Sequence, residues 1–279
     1  MMPRNGEPES PTSDGASGSG ELTIVRDGPV RRITLTRPTR RNALSRSLVA
    51  ALHHELAAIE EGGETRVVIL GGDGPAFCAG GDIAEFVEAA EDGRAVADAN
   101  GLADLLAAMA ACPVPIVARV HGAAYGGGIG LVCASDIAIA AEGSQFSLSE
   151  ARLGLVPAVI APYVIAALGG RAAKARMLLA TPFGADDALR CGLIHRCIPG
   201  DAMDAAVEEV VGNLLGCAPG ALATIKRLPS MIEDPDPAAR RAATARLLAE
   251  RLASDEGREG LRAFMEKRPP AWVPAGASR

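Results

Sequence analysis

The spacing of apolar positions changes several times along this chain, and each change marks an element. Leu22-Thr23-Ile24-Val25 and Val30 to Thr36 are two strand-like runs flanking Asp27-Gly28, which predicts a β-hairpin. After Ser45, a good helix cap, Leu48, Leu52, Leu56 and Ile59 recur at helical spacing until Gly62-Gly63 stops them. Val67-Val68-Ile69-Leu70 predicts a short buried strand, and an Ala- and Leu-rich helix is expected over about residues 95–111. Pro113 and Pro115 frame a further strand, Ile116 to Val120, and a helix is expected to begin at about Gly127. Ile137 to Ala140 and Gln145 to Ser147 read as strands, and from about Pro157 the pattern is nearly all helical. It ends in a charged amphipathic stretch, Glu256 to Arg268, with Leu261, Phe264 and Met265 on one side. Strands alternating with helices imply an α/β fold of repeated ββα or βαβ units.

The first 20 residues hold almost nothing that can be buried, so they are expected to be a disordered tail. They lack the apolar segment of a secretory signal. Three parts follow: the tail at 1–20, an α/β core over 21–200 and a helical region over 201–279. The net charge of −6 argues against a nucleic-acid partner, which needs a basic face. No run reaches the length of a membrane span, so no membrane partner is expected. Cys78, Cys112, Cys133, Cys191, Cys197 and Cys217 form no Cys-x-x-Cys pair and are expected mostly as buried free thiols, in a reducing cytoplasm. The four histidines have no metal spacing; His53 and His54, adjacent on a helix, are expected to face different directions as solvated residues.

Two glycine segments carry the chemistry: Phe77-Cys78-Ala79-Gly80-Gly81-Asp82-Ile83 and Gly126-Gly127-Gly128-Ile129-Gly130. Each places glycine where a strand pattern gives way to a helical one, so bare backbone N–H groups become available to a ligand. Two amides from separate segments, converging on one oxygen, stabilise negative charge on it. Glu150 follows as a carboxylate in an otherwise apolar stretch, able to move a proton. Taken singly, each glycine has the alternative reading of an ordinary turn residue, and Glu150 that of a surface carboxylate capping a turn.

In this order and spacing the segments resemble the enoyl-CoA hydratase/isomerase (crotonase) superfamily. Three more stretches carry the likeness: Arg41-Asn42-Ala43-Leu44-Ser45, then Ala185-Asp186-Asp187-Ala188 through Gly192-Leu193-Ile194, and Glu259-Gly260 with Phe264 and Lys267. The resemblance implies a crotonase-like spiral of ββα units with a helical C-terminal trimerisation region. It implies Gly81 and Gly127 as the amides that hold a thioester oxygen, with Glu150 as the catalytic carboxylate. It places Ala43, Ala79, Asp82 and Ile83, beside Gly81 and Gly127, along the path of an acyl-CoA substrate. It also makes Arg40 or Arg41 a candidate partner for the CoA phosphates. Coenzyme A is then part of the substrate, with no separate cofactor or metal, and the assembly is a homotrimer or a dimer of trimers.

The chain departs from the family pattern at Gly130, where many hydratases carry a second glutamate around the reacting water. A single carboxylate still suffices to hydrate an enoyl-CoA, and equally to shift its double bond. The run Ser149 to Tyr163 resembles a bacterial branch of methylglutaconyl-type hydratases that pairs a glycine at this place with a retained glutamate, which favours hydration. A 3-hydroxyacyl-CoA hydrolase is disfavoured because Ala158, after Pro157, stands where that branch has an aspartate. A non-catalytic acyl-CoA binder is disfavoured by Glu150, for which a mere binder has no use. No glycine-rich dinucleotide fingerprint follows a strand, so a fused dehydrogenase is not expected. Arg152 is a candidate partner for a second carboxylate on the acyl group.

Overall fold

A computed structural model of the chain describes residues 20–232 and 236–274. The expected tail, apart from Gly20, lies outside the described residues. The chain opens with the expected hairpin, β1 (Leu22–Asp27) and β2 (Val30–Leu35), which turns at Gly28 with φ of 54°. Helix α1 (Arg46–Gly62) is capped by Ser45, whose hydroxyl accepts from the Leu48 amide at 3.1 Å, and ends at Gly63 with φ of 65°. Then come β3 (Val67–Gly72), β4 (Ala76–Cys78), α2 (Ile83–Asp92), α3 (Ala95–Ala111), β5 (Ile116–Val120), β6 (Ala123–Tyr125), α4 (Gly127–Ala134), β7 (Ile137–Ala141) and β8 (Gln145–Ser147). The rest is mainly helical: α5 (Ala161–Leu168), α6 (Gly170–Leu179), α7 (Ala185–Arg190), α8 (Met203–Leu215), α9 (Pro219–Ile232), α10 (Pro237–Ala253) and α11 (Asp255–Met265).

Two short strands interrupt that helical region, β9 (Phe183–Gly184) and β10 (Arg196–Ile198). Neither is long enough to show alternation, and their strand character comes from their partners. β10 pairs with β7 and β9 with β8.

The strands form two sheets, one ordered β1-β2-β3-β5-β7-β10 and the other β4-β6-β8-β9. Successive units therefore place one strand in each sheet: β3 and β4, β5 and β6, β7 and β8. This repetition winds the chain into a spiral, and within each sheet the strands so added run parallel. The larger sheet is buried on both faces. Val68, Leu70, Ile116 and Ala118 face α1 and α3, where Leu52, Leu56, Leu105 and Leu106 pack on them. Val67, Ile69, Val117 and Ile139 face the other way and are covered by Met203, Val207 and Val211 of α8. The helical region drawn from residue 201 thus begins with a helix that completes the core.

The thiols are less buried than expected. All six are free, but only Cys78 and Cys112 are buried, Cys133, Cys191 and Cys197 are half-buried, and Cys217 is exposed. Cys217 lies in the link after α8, beyond the last side chain that helix buries. Burial pushes the thiols of Cys78 and Cys133 up to about 12, so they remain protonated and inert at neutral pH.

One ion pair ties α9 to the larger sheet. The Lys226 ammonium lies 2.6 Å from Asp136 Oδ2 and donates to the Val114 carbonyl at 3.1 Å, while the same Asp136 oxygen accepts from the Ile116 amide at 2.7 Å. The Lys226 side chain is 8% exposed, so removing its partner strands a buried charge. Asp136→Ala is expected to cost about 3–5 kcal/mol of unfolding free energy. Lys226→Met, which removes the buried charge itself, should cost clearly less, as urea denaturation of the two variants will show.

Candidate active site

The first glycine segment is held by the loop before α1. The Ala79 amide donates to the Arg41 carbonyl at 2.9 Å, the Leu44 amide to the Gly80 carbonyl at 2.7 Å, and the Asp82 amide to the Leu44 carbonyl at 3.1 Å. Extended backbone alternates the direction of its polar groups, so with Gly80 and Asp82 bonded to Leu44, the Gly81 N–H points the other way. Among the described residues it has no acceptor. The second segment begins where β6 ends. Gly126 takes φ 48° and ψ −116°, a backbone available in practice to glycine alone, and its amide donates to the Ser147 carbonyl at 2.9 Å. Gly127 is then the first residue of α4, and its N–H belongs to the unpaired set at a helix start, on the positive end of the helix dipole.

The two amides lie side by side. A β-carbon built on Gly127 would be 3.8 Å from the Gly81 nitrogen, and one on Gly80 would be 3.6 Å from the Gly127 nitrogen. Close packing explains the neighbouring glycine as well: a side chain on Gly128 would strike the Cys78 carbonyl, so α4 rests directly on β4.

Glu150 opens a single turn of 3-10 helix, Glu150–Leu153, just after β8. Its Oε1 lies 3.0 Å from the position a β-carbon on Gly126 would take, which sets the carboxylate against the second glycine segment. Its Oε2 is buried without a hydrogen-bond partner among the described residues. Burial raises the Glu150 pKa above the ordinary carboxylate range, with a weaker backbone hydrogen bond opposing. An orphaned buried carboxylate oxygen is costly to keep and is the kind of group that waits for a reacting partner.

A cavity of about 1030 Å³ joins these parts. Ala79, Gly81, Ile83, Gly127 and Glu150 all line it, so the structure brings together five of the seven residues singled out from the sequence. Ala43 and Asp82 do not line it. The Ala43 carbonyl accepts from the Arg37 guanidinium, and the Asp82 carboxylate is spent on the same Arg37 at 3.1 Å and on capping α2 through the Ala84 amide at 3.2 Å. Both brace the first glycine segment from behind. Arg40 and Arg41 are exposed and also outside the cavity lining. His53 and His54 are both exposed, yet both border the cavity, because α1 presents a broad face to it.

Asn42 and Ile160 have roles that sequence reasoning missed. Asparagine is a common helix-capping type, but α1 is capped by Ser45. Asn42 is fully buried, with φ of 55°, and its amide group donates to the Asp73 carbonyl at 2.9 Å and the Ala76 carbonyl at 2.7 Å. It locks the loop that bears Leu44 onto the strand that bears the first glycines. Ile160 explains Gly130: a β-carbon there would lie 2.5 Å from Ile160 Cγ2 and 3.5 Å from Leu106 Cδ1. The room that a side chain at residue 130 would need is already filled by isoleucine.

A spiral of paired strands thus sets two adjacent glycine amides and one half-buried carboxylate around a single cavity. The sequence model of the enoyl-CoA hydratase/isomerase family matches residues 26–274, and the chain belongs to that family. A solved enoyl-CoA hydratase from Shewanella pealeana is 38% identical and superposes with a TM-score of 0.87, covering 90% of this chain and 96% of its own. Pseudomonas aeruginosa AtuE is 39% identical, with a TM-score of 0.87, covering 91% of this chain and all of its own. The mouse enoyl-CoA hydratase domain-containing protein 3, mitochondrial, is 30% identical over 278 residues, or 94% of this chain and 89% of the relative. The architecture is thus that of the crotonase fold expected from the sequence.

The raised Glu150 pKa has a consequence for stability. The folded state binds the Glu150 proton more tightly than the unfolded chain does, so its contribution is fully present below the unfolded pKa and is lost as pH rises through the folded one. Glu150→Gln is therefore expected to raise the thermal midpoint at pH 8. The gain over wild type should vanish as the pH falls to about 4, the unfolded carboxylate range. Calorimetric scans at the two pH values check this.

Proposed function

We propose that the chain is an enoyl-CoA hydratase that uses one carboxylate and two backbone amides. The observation that carries this reading is the buried, unpartnered Glu150 oxygen beside two adjacent amides, Gly81 and Gly127, that also lack partners among the described residues. The thioester carbonyl oxygen of a 2-enoyl-CoA sits between the two N–H groups. Glu150 takes a proton from water, the hydroxide oxygen bonds to carbon 3, and the electron pair of the double bond moves onto the thioester oxygen. The amides bind that enolate more strongly than the carbonyl it came from, and this difference lowers the barrier. Glu150 then returns its proton to carbon 2.

Ala79 and Ile83 flank the first amide on the cavity wall, which supports their contact with the substrate, while Ala43 and Asp82 act by holding the loop. Leu261, Phe264 and Met265 of α11 are 56%, 78% and 79% exposed, an apolar face that supports a homotrimer or a dimer of trimers. Free cysteines fit a reducing compartment such as the cytoplasm. Among the described residues, no helix is long and apolar enough to cross a membrane.

Ile160 favours a second reading. With apolar packing where a second carboxylate would stand, a lone Glu150 also suits a proton shuttle between carbons 2 and 4, as in an enoyl-CoA isomerase. Mass distinguishes the two reactions, since hydration adds a water and isomerisation adds nothing.

Glu150→Gln is expected to lower turnover by about 10² to 10⁴ while leaving acyl-CoA affinity nearly unchanged. Survival of activity would overturn both readings. Because Glu150 must be ionised to act as a base and its pKa is raised, the acid limb of the wild-type rate profile should lie above the ordinary carboxylate range. Gly130→Glu alone is expected to destabilise the fold through Ile160. Gly130→Glu combined with Ile160→Ala makes the room and should raise hydration relative to isomerisation, read from the two product masses.

A further inference from the structure

Among the described residues, the cavity wall beyond Glu150 offers no guanidinium or ammonium group to receive a second carboxylate. With the thioester oxygen between Gly81 and Gly127, carbons 2 and 3 lie at Glu150, and the rest of the acyl chain has to continue past it. The wall beyond is apolar: Leu155, Val156, Pro157, Val159 and Ile160 line it. Arg152, the sequence candidate for a carboxylate partner, is outside the cavity lining, and its Nε donates to the Ala180 carbonyl at 2.6 Å.

The opposite wall, from α1 to α3, is acidic. Glu85, Asp98 and Asp104 line it, and Arg46 is the one lining residue among the described ones that carries a guanidinium or ammonium. Arg46 is already shared by three carboxylates, at 3.3 Å from Glu85, 2.8 Å from Glu88 and 3.3 Å from Asp98. His53 and His54 border the same wall and are exposed. A carboxylate on the acyl chain would thus meet Glu150 at close range, apolar side chains beyond it, and an arginine with no charge to spare. Discrimination of this kind works through the repulsive element as much as through fit.

We propose that this cavity selects an uncharged aliphatic acyl group and rejects a dicarboxylic one, a specificity that rests on the acyl-CoA reading above. Glu150, Glu85, Asp98 and Asp104 supply the repulsion, and the segment Leu155 to Ile160 supplies the apolar seat. This sets the chain apart from the methylglutaconyl-type branch that its run from Ser149 to Tyr163 resembles.

The test compares two pairs of matched thioesters on the full-length protein. Pentanoyl-CoA and glutaryl-CoA report binding without chemistry, and pent-2-enoyl-CoA and glutaconyl-CoA report turnover. The neutral member of each pair is expected to be favoured by about 10- to 100-fold, in Kd by calorimetry and in kcat/KM for the enoyl pair, narrowing as salt is added. Val156→Arg, at a side chain 76% exposed, places a cation beside the seat and should move both ratios toward the carboxylated member. Arg152→Gln should leave both ratios unchanged. Equal or tighter binding of glutaryl-CoA, or a loss confined to the carboxylated ligands in Arg152→Gln, would overturn the proposal. Selective binding of pentanoyl-CoA without turnover of either enoyl thioester would uphold the specificity and overturn the hydratase reading, so the two fail separately.

Discussion

The site depends on a close approach of backbone to backbone, tightest at Gly128, where a side chain would strike the Cys78 carbonyl. Gly80, Gly81, Gly126, Gly127 and Gly128 bring the end of β4 and the start of α4 into near contact, and two N–H groups are left over on the same side. Buried amides usually find partners within the fold. Here the local geometry denies them one: bonding of Gly80 and Asp82 to Leu44 turns the Gly81 amide outward, and the start of a helix leaves the Gly127 amide free. Both donors are therefore held in place by the fold itself, the preorganisation that the proposed oxyanion role requires.

The rest of the molecule keeps that geometry rigid. The spiral adds one strand to each sheet per turn, so β4, β6 and β8 lie side by side, and Gly81, Gly127 and Glu150 follow shortly after their ends. Asn42 fastens the bracing loop by two hydrogen bonds from a fully buried side chain, and Arg37 links Asp82 to the same loop. These polar ties hold positions that apolar packing by itself would leave loosely defined. By contrast α2, which lines the cavity, buries only Ala89, and its Glu85 and Glu88 share Arg46 with Asp98 of α3.

Gly130 shows how a single missing side chain acts through its surroundings. In sequence it is the absence of a carboxylate. In three dimensions it is the presence of Ile160, which fills the space and makes that wall of the cavity apolar. Glu150 lines the same cavity, and burial is the leading cause of its raised pKa.

Features set by neighbours along the chain were legible from the sequence: the Asp27-Gly28 turn, the Ser45 cap, the stop at Gly63, and the start of α4 at Gly127. Each depends on a residue type whose conformational preference acts within a few positions. The pairing of Gly81 and Gly127 was legible through likeness to a family, since nothing in the spacing alone brings residues so far apart to one point. What the tertiary structure alone decided depends on contacts between distant segments. Ile160 reaches across to Gly130, Arg152 turns to Ala180, Asp82 is spent on Arg37, and β10 becomes a strand by lying beside β7. Side-chain direction at such places is set by the packing of whole elements, which no local preference encodes.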